Sequence, residues 1–437
     1  MAPRWVRKVL AAAITPVIVL AVVSVGLVAT DASRNPAFSP FDEYVYLDYL
    51  NKFPTEIAEK QGEKTGDFAR NEIACRGVFF YGAYGDGCNS GRTSDTNKFP
   101  YDGRQGADIY TPVYFAITWA LALPLRTVGV GELDASRLTG GLWLALGVIL
   151  LYFCLLQFGA SRKLSFGVTL LVLVTPAVEW ANSYLSTDAP TLAVGAGLAY
   201  AGIRIWKQQL SSLWLVPLVV LAVTLKVQNL AAFAIVALAL LGMRLWRPNQ
   251  PSGFDRVRAI ATDRVVLGVV AAGIAGIVAQ VTWLVIRAKI AIGPGGPPLA
   301  GSGRLTATAL LDEAVKFIHQ VGSTGIAVGL PEQIAAALFS ILTIVAIGAM
   351  ALEGVIIRSV EATVSWSTAF IALAYGPLLA VGTAIAVGFY FPLTPRYGIV
   401  LLPAFALCVG LYLRRYRMSG NVTVAVGMVL LVAALLA

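Results

Sequence analysis

Apolar runs of bilayer-spanning length recur along the whole chain, and this constrains the fold more than any other feature. One begins at residue 10, "LAAAITPVIVLAVVSVGLVA", and others follow at intervals to the last residue. About 20 apolar residues suffice for a helix to cross the hydrocarbon core. The runs are continuous rather than alternating, which favours helices over barrel strands. Only 13% of the 437 residues are charged and 57% are hydrophobic, against about 25% charged in an ordinary soluble domain. The expected fold is an all-α polytopic membrane protein forming one domain, 1–437, with about 11 spans.

Charge placement sets the expected topology. The net charge of +9 does not point to nucleic acid, because most basic residues fall in short loops, as the positive-inside rule expects. Arg4, Arg7 and Lys8 precede the first run, so that run goes outward. It reads as a retained span, with a cleaved signal peptide as the alternative. Residues 31–110 carry 13 Asp/Glu and 9 Lys/Arg, the reverse of the chain's overall balance. They open a large first extracytoplasmic loop, 31–137, in which 111–125 reads as an interfacial helix. Residues 287–332 form a second large outer loop, containing the Gly/Pro-rich "GPGGPPLAGSG". Plasma (inner) membrane location follows, with the active face extracytoplasmic. Cys75 and Cys88 share the first loop, where a disulfide is expected. Closing such a loop stabilises by about 3 kcal/mol on the chain-entropy account. Cys154 and Cys408 fall in apolar runs and read as core.

"FSPFDEYVYLDYL", Phe38 to Leu50, sets Asp42 and Glu43 just beyond the first span. "STDAP" sets Asp188 just beyond the third. Each has a structural explanation: Ser39-Pro40-Phe41-Asp42 resembles a capping box, and Asp188 suits a helix N-cap. Together they place carboxylates on one face, beside Lys226, Arg287, Lys289 and Arg396, cations at outer span ends that break the charge rule locally. A carboxylate can take a proton from an attacking hydroxyl, and Arg or Lys can hold a phosphate. Snorkelling to lipid headgroups is the alternative use of those cations. His319 is the one histidine, and no Cys/His cluster suits zinc. Asp42, Glu43 and Asp188 leave Mg or Mn open, though none is required. The Gly-rich stretch lacks the GK[ST] of a P-loop.

The order of these features resembles the GT-C membrane glycosyltransferases, of the protein O-mannosyltransferase and aminoarabinose transferase type. "FDEYVYLDYL" resembles the acidic first-loop motif, and "DIYTPVYFAITWAL" the family's interfacial helix. "YLSTDAPTLAV" resembles the second-loop Asp motif, and "TPRYGIVLLP" the late "RYLLPLLP" segment. The resemblance implies transfer of a sugar from a polyprenyl-phosphate donor to an envelope acceptor on the outer face. It assigns the base role to Asp42, with Glu43 as helper, and an acceptor or donor role to Asp188. It puts Arg396 and Tyr397 near the donor phosphate, with Lys226, Arg287 or Arg304 assisting. Asp108 and Tyr110 stand where relatives often carry His or Glu-Lys, on the acceptor side. The other functions open to such a chain are transport of a lipid-linked or anionic solute, which the lack of a visible inverted repeat disfavours, and a non-catalytic scaffold.

Overall fold

The computed structural model describes residues 4–245, 259–295, 303–326, 329–357 and 359–436. The Gly/Pro-rich residues 296–302 and residues 246–258 of the basic loop lie outside the described residues. Among those described, the chain is helical, and its only β pairings are isolated bridges. Eight helical stretches are long and apolar enough to span a bilayer: Ile14–Arg34, Glu132–Gln157, Val227–Leu245, Arg264–Ile290, Leu330–Ile356, Val360–Ile385, Pro395–Leu413 and Ser419–Leu436. This makes the chain a polytopic membrane protein.

The remaining three of the expected spans coincide with apolar helices of a different kind. Residues 162–183 form α6 (Arg162–Leu173) and α7 (Pro176–Ser183), bent by 66° at the break between them. Pro176 explains the break. It has no N–H to continue α6, and it fits the first turn of a new helix. Thr191–Trp206 (α8) and Ser212–Leu225, which contains α9 (Leu215–Leu225), are shorter apolar helices. The preceding elements are α1 (Arg4–Arg34), α2 (Glu43–Lys52), α3 (Asp67–Arg76), α4 (Pro112–Thr127) and α5 (Glu132–Gln157). Those that follow are α10 (Leu230–Leu245), α11 (Arg264–Ile290), α12 (Ala307–His319), α13 (Leu330–Ile356), α14 (Val360–Val387), α15 (Leu402–Leu413) and α16 (Ser419–Leu436).

Helix α5 is the central post, packed on α1 and α8. It begins at Glu132, earlier than hydropathy suggests, so Arg137 lies inside the helix rather than in the first loop. "GELDASR" carries the reason: acidic Glu132 and Asp134 in the first turn suit the positive end of the helix dipole. The basic ends of several helices meet at the opposite end of the body. Lys207 Nζ bonds the Gln157 carbonyl at 2.6 Å, Arg414 bonds the Phe158 carbonyl, and Lys163 Nζ reaches Asn421 Oδ1 at 3.0 Å.

The first loop is a folded unit with its own core. Phe38, Tyr44, Tyr46, Leu47, Tyr49 and Phe115 are buried together there with Leu185, Ala189 and Leu225 from the helical body. Helix α4 starts with a capping threonine: Thr111 Oγ1 accepts from Val113 N, and Pro112 occupies the first turn. Cys75 and Cys88 form the expected disulfide. The second loop contains α12, whose buried Glu313 accepts from Lys316 Nζ at 2.6 Å, Tyr390 Oη at 2.8 Å and Leu393 N at 2.9 Å. His319 bonds the Val315 carbonyl of its own helix through Nδ1 at 2.9 Å.

One ionic cluster in the first loop gives a pH prediction. Lys52 Nζ lies 2.9 Å from Asp48, 3.2 Å from Glu59 and 2.9 Å from Glu63. One ammonium cannot neutralise three carboxylates, and burial pushes Glu59 up to about 8 despite Lys52, with Asp48 and Glu63 adding to the rise. The folded state therefore keeps a proton on Glu59 that the unfolded chain releases near the ordinary value of about 4.3. The stability this group contributes is complete at pH below that value, declines as pH rises, and is gone once pH passes about 8. Thermal unfolding in detergent should show lower stability at pH 9 than at pH 6, and Glu59→Gln should flatten that slope. An unchanged slope in the variant would show that another group sets it.

Candidate functional site

The carboxylates from the first and third span ends meet the two cations at one end of the helical body. Arg396 stands at the centre. It opens the 3₁₀ turn Pro395–Leu401 that leads into α15, and it is buried. Its Nη2 bonds Asp42 Oδ2 at 3.1 Å and its Nη1 bonds Asp188 Oδ2 at 3.4 Å. Lys226, buried in the break between α9 and the next helical stretch, pairs with the other Asp188 oxygen, Oδ1. Its extended φ of −164° ends α9 and projects the side chain to the cluster. Burial pushes the Lys226 ammonium down, and Asp188 opposes that shift. The four residues form a chain, Asp42–Arg396–Asp188–Lys226, from four separate parts of the sequence.

The two carboxylates differ in access. Asp188 is 4% exposed at its side chain and Asp42 is 30% exposed. Asp188 has both oxygens on cations, whereas Asp42 divides its oxygens between Arg396 and the Tyr101 hydroxyl, which donates at 2.8 Å. The Asp42 charge, followed by burial, holds the Tyr101 phenol well above its ordinary pKa, so it stays a donor. Neither aspartate is a side-chain helix cap. Asp42 precedes α2 with φ 54° and makes no capping bond, and Asp188 precedes α8, whose N-cap position is Pro190. Asp42 and Tyr101, at φ 60°, both adopt left-handed backbone and bond each other through their side chains. Such conformations in non-glycine residues cost of order 1 kcal/mol or more and persist where surroundings impose them.

Aromatic rings wall the cluster. The Tyr397 ring lies 5.4 Å from Lys226 Nζ and 5.2 Å from the Arg396 guanidinium, and the Tyr110 ring lies 5.8 Å from Lys226. Tyr46 donates to Tyr110 at 3.2 Å. Phe41 lies under Arg396 at 4.3 Å. These contacts keep the cations in a partly apolar surround, where charge interactions are strong.

Glu43 has a different situation from Asp42. It is fully buried and pairs with Arg137, also fully buried, through Nε and Nη2 at 2.8 Å each. It also accepts from Ser39 N at 2.8 Å and Leu185 N at 2.7 Å, which commits both oxygens. The expected capping box does not form: α2 begins at Glu43 with Asp42 before it, and the acid that reaches Ser39 N is Glu43 rather than Asp42. Asp108 pairs with Arg287 at 2.6 Å beneath Trp283, whose indole donates to the Ile109 carbonyl at 3.0 Å. Burial raises the Asp108 carboxyl, and Arg287 pulls it back. Arg287 is thus tied to Asp108, and Arg304 is exposed beyond the bridge of Gly303 to Tyr390. Neither joins the Arg396 cluster through an ion pair among the described residues.

Sequence reasoning did not single out Tyr101 or Arg137. "FPYDG" carries a turn signal that would have flagged Tyr101-Asp102-Gly103. Arg137 had no local signal, because its partner is remote in sequence.

Among the described residues, no group of three or more His, Cys, Asp or Glu is disposed to hold a metal. A divalent ion at Asp42 and Asp188 would compete with Arg396 and Lys226 for the same oxygens. No family model, no curated protein and no solved structure matches this chain.

Proposed function

We propose that the chain is a GT-C-like glycosyltransferase that moves a sugar from a polyprenyl-phosphate donor to an envelope acceptor. The observation that carries this reading is Asp42: a partly exposed carboxylate, fixed by Tyr101 and Arg396, beside a buried Asp188–Lys226 pair. An acceptor hydroxyl reaching Asp42 attacks the anomeric carbon and transfers its proton to the Asp42 carboxylate. The bond from that carbon to the phosphate oxygen breaks, and polyprenyl phosphate leaves with the electron pair. Arg396 and Lys226 stabilise its charge. The displacement inverts the anomeric centre.

An apolar cleft supports the lipid part of the donor. It lies between α8, α10 and the segment leading into α15. Small residues line it, Gly195, Ala199 and Gly202 on one wall and Ala232 and Ala239 on another, and a side chain at Gly195 or Gly202 would collide with Pro403 or Val236. Val400, one helical turn after Arg396, lines its near end.

Orientation follows from charge. Lys163, Lys207, Arg414 and Arg415 gather at the end away from the cluster, and the positive-inside rule assigns that end to the cytoplasm. The cluster then faces outward in the plasma membrane, with about 11 apolar helical elements crossing or entering the bilayer.

The test is transfer in vitro from a panel of polyprenyl-phosphate sugars, with mass analysis of the products. At least one donor should be consumed and its sugar recovered with inverted anomeric configuration. Consumption of none, or vectorial movement of an intact lipid-linked sugar across a vesicle, would replace the transferase reading with transport. Impermeant labelling of Ser94→Cys in intact cells reads the orientation, and labelling only after permeabilisation would reverse it.

A further inference from the structure

A line of aromatic rings in contact runs from Phe41, beside Asp42, to the surface. Phe41, next in sequence to Asp42, lies under Arg396 and meets Trp180 edge-on at 5.7 Å. Trp180 meets Phe79 at 6.3 Å, and Phe79 meets Phe80 at 4.1 Å. Phe41, Trp180 and Phe79 are half-buried, and Phe80 and Tyr81 are 65% and 69% exposed. The outer rings sit on a short turn. Val78 N bonds the Gly82 carbonyl at 2.7 Å, and Phe79 N bonds the Phe38 carbonyl at 2.9 Å. Phe80 takes a left-handed φ of 67° there, a conformation that an aromatic residue adopts at a cost. The disulfide Cys75–Cys88 brackets the turn and fixes its base.

A loop that only connects elements is ordinarily polar. This one holds Phe80 and Tyr81 out in the open, at the far end of the ring contacts that lead from Phe41, next to Asp42. Planar aromatic faces suit one class of ligand above others. The C–H bonds of a sugar ring carry slight positive charge and stack on the negative face of an aromatic ring. We propose that Phe41, Trp180, Phe79 and Phe80 form the acceptor subsite, and that the acceptor is a glycan whose successive rings stack along this line, its terminal hydroxyl at Asp42. The inference rests on the transferase reading, and the experiment separates the two.

Full-length protein in detergent is titrated with linear tetrasaccharides of mannose, of galactose and of arabinose, and binding is read by saturation-transfer NMR. At least one should bind, and a Ser/Thr-rich peptide should not displace it. Phe80→Ser alters only an exposed ring and should weaken binding about 3- to 10-fold, as should Trp180→Leu. Binding of none of the three sugars, unchanged affinity in both aromatic variants, or displacement by the peptide would overturn the proposal. Slow hydrolysis of a polyprenyl-phosphate sugar, with water as acceptor, is followed in the same samples. Hydrolysis without oligosaccharide binding removes the glycan subsite and keeps the transferase. Oligosaccharide binding without hydrolysis of any donor does the reverse.

Discussion

Asp42→Asn should lower transfer by roughly 10²–10⁴-fold, the range that a positioned general base contributes, while the protein remains folded. Asparagine keeps the size of the side chain; its amide oxygen can still accept from Arg396 while its amide N–H donates to the Tyr101 hydroxyl oxygen, two groups that bond separate Asp42 oxygens in the native structure. It cannot take a proton. The helix-cap explanation predicts no such loss, since Asn and Asp rank together at N-caps, and the Asp42 side chain makes no capping bond in any case. Asp42→Gly gives a sharper control. The residue sits at φ 54°, a backbone conformation that glycine adopts without strain. The variant should therefore fold, lose activity to the same degree, and regain part of it with added formate, a small carboxylate that can enter the vacated space. Tyr101→Phe removes one donor to Asp42 and should cost less, because Arg396 still holds the carboxylate. A folded Asp42→Asn protein with an unchanged transfer rate would remove the base assignment.

The sequence made the membrane character and the acidic and basic pieces of the site legible for distinct reasons. Continuous apolar runs report burial in lipid without reference to any partner, so eight stretches matched by length and composition. The bent α6–α7 pair and the short α8 and α9 were harder to distinguish from full spans. Their hydropathy is that of a crossing helix, and only the geometry at Pro176 and the length of the others separate them. Asp42, Asp188, Lys226 and Arg396 stood out because ionisable groups at span ends are costly and few. Their pairing was not legible, because it joins residues 354 positions apart in sequence, as Arg396 and Asp42 are. The motif set Asp42 as base with Glu43 as its helper, yet only Asp42 lies at the partly open cluster and Glu43 points into the closed packing between α5 and the first loop. One residue of helical rotation separates the two environments. The left-handed φ of Asp42 directs its side chain away from the axis of α2, and nothing in residue type alone announces that.

The Glu43–Arg137 pair gives the second large effect, on stability. Both side chains are fully buried. Arg137 also donates to the Asn35 carbonyl at 2.8 Å and the Ala37 carbonyl at 2.7 Å, and its guanidinium lies 4.9 Å from the Tyr184 ring centroid. One side chain on α5 thus joins the end of α1, the segment leading to Asp42, and the Leu185 turn that precedes Asp188. Arg137→Met fills similar volume but strands a buried carboxylate and two carbonyls. Breaking a buried ion pair from one side costs about 3–5 kcal/mol, so the variant should unfold at much lower temperature in detergent, or fail to accumulate. Glu43→Gln should be milder, because the amide oxygen still accepts from a backbone N–H while the arginine keeps its two carbonyls. Replacing both, Arg137→Met with Glu43→Leu, should recover part of the loss, since no lone charge remains buried. In each variant the transfer rate per folded molecule should fall only as far as the Asp42 and Asp188 segments lose their placement. Glu43→Gln that keeps wild-type stability yet loses transfer by the factor expected for Asp42→Asn would instead give Glu43 a part in the chemistry. That outcome would require its carboxylate to leave Arg137 during turnover, against the four hydrogen bonds that hold it in the packed site.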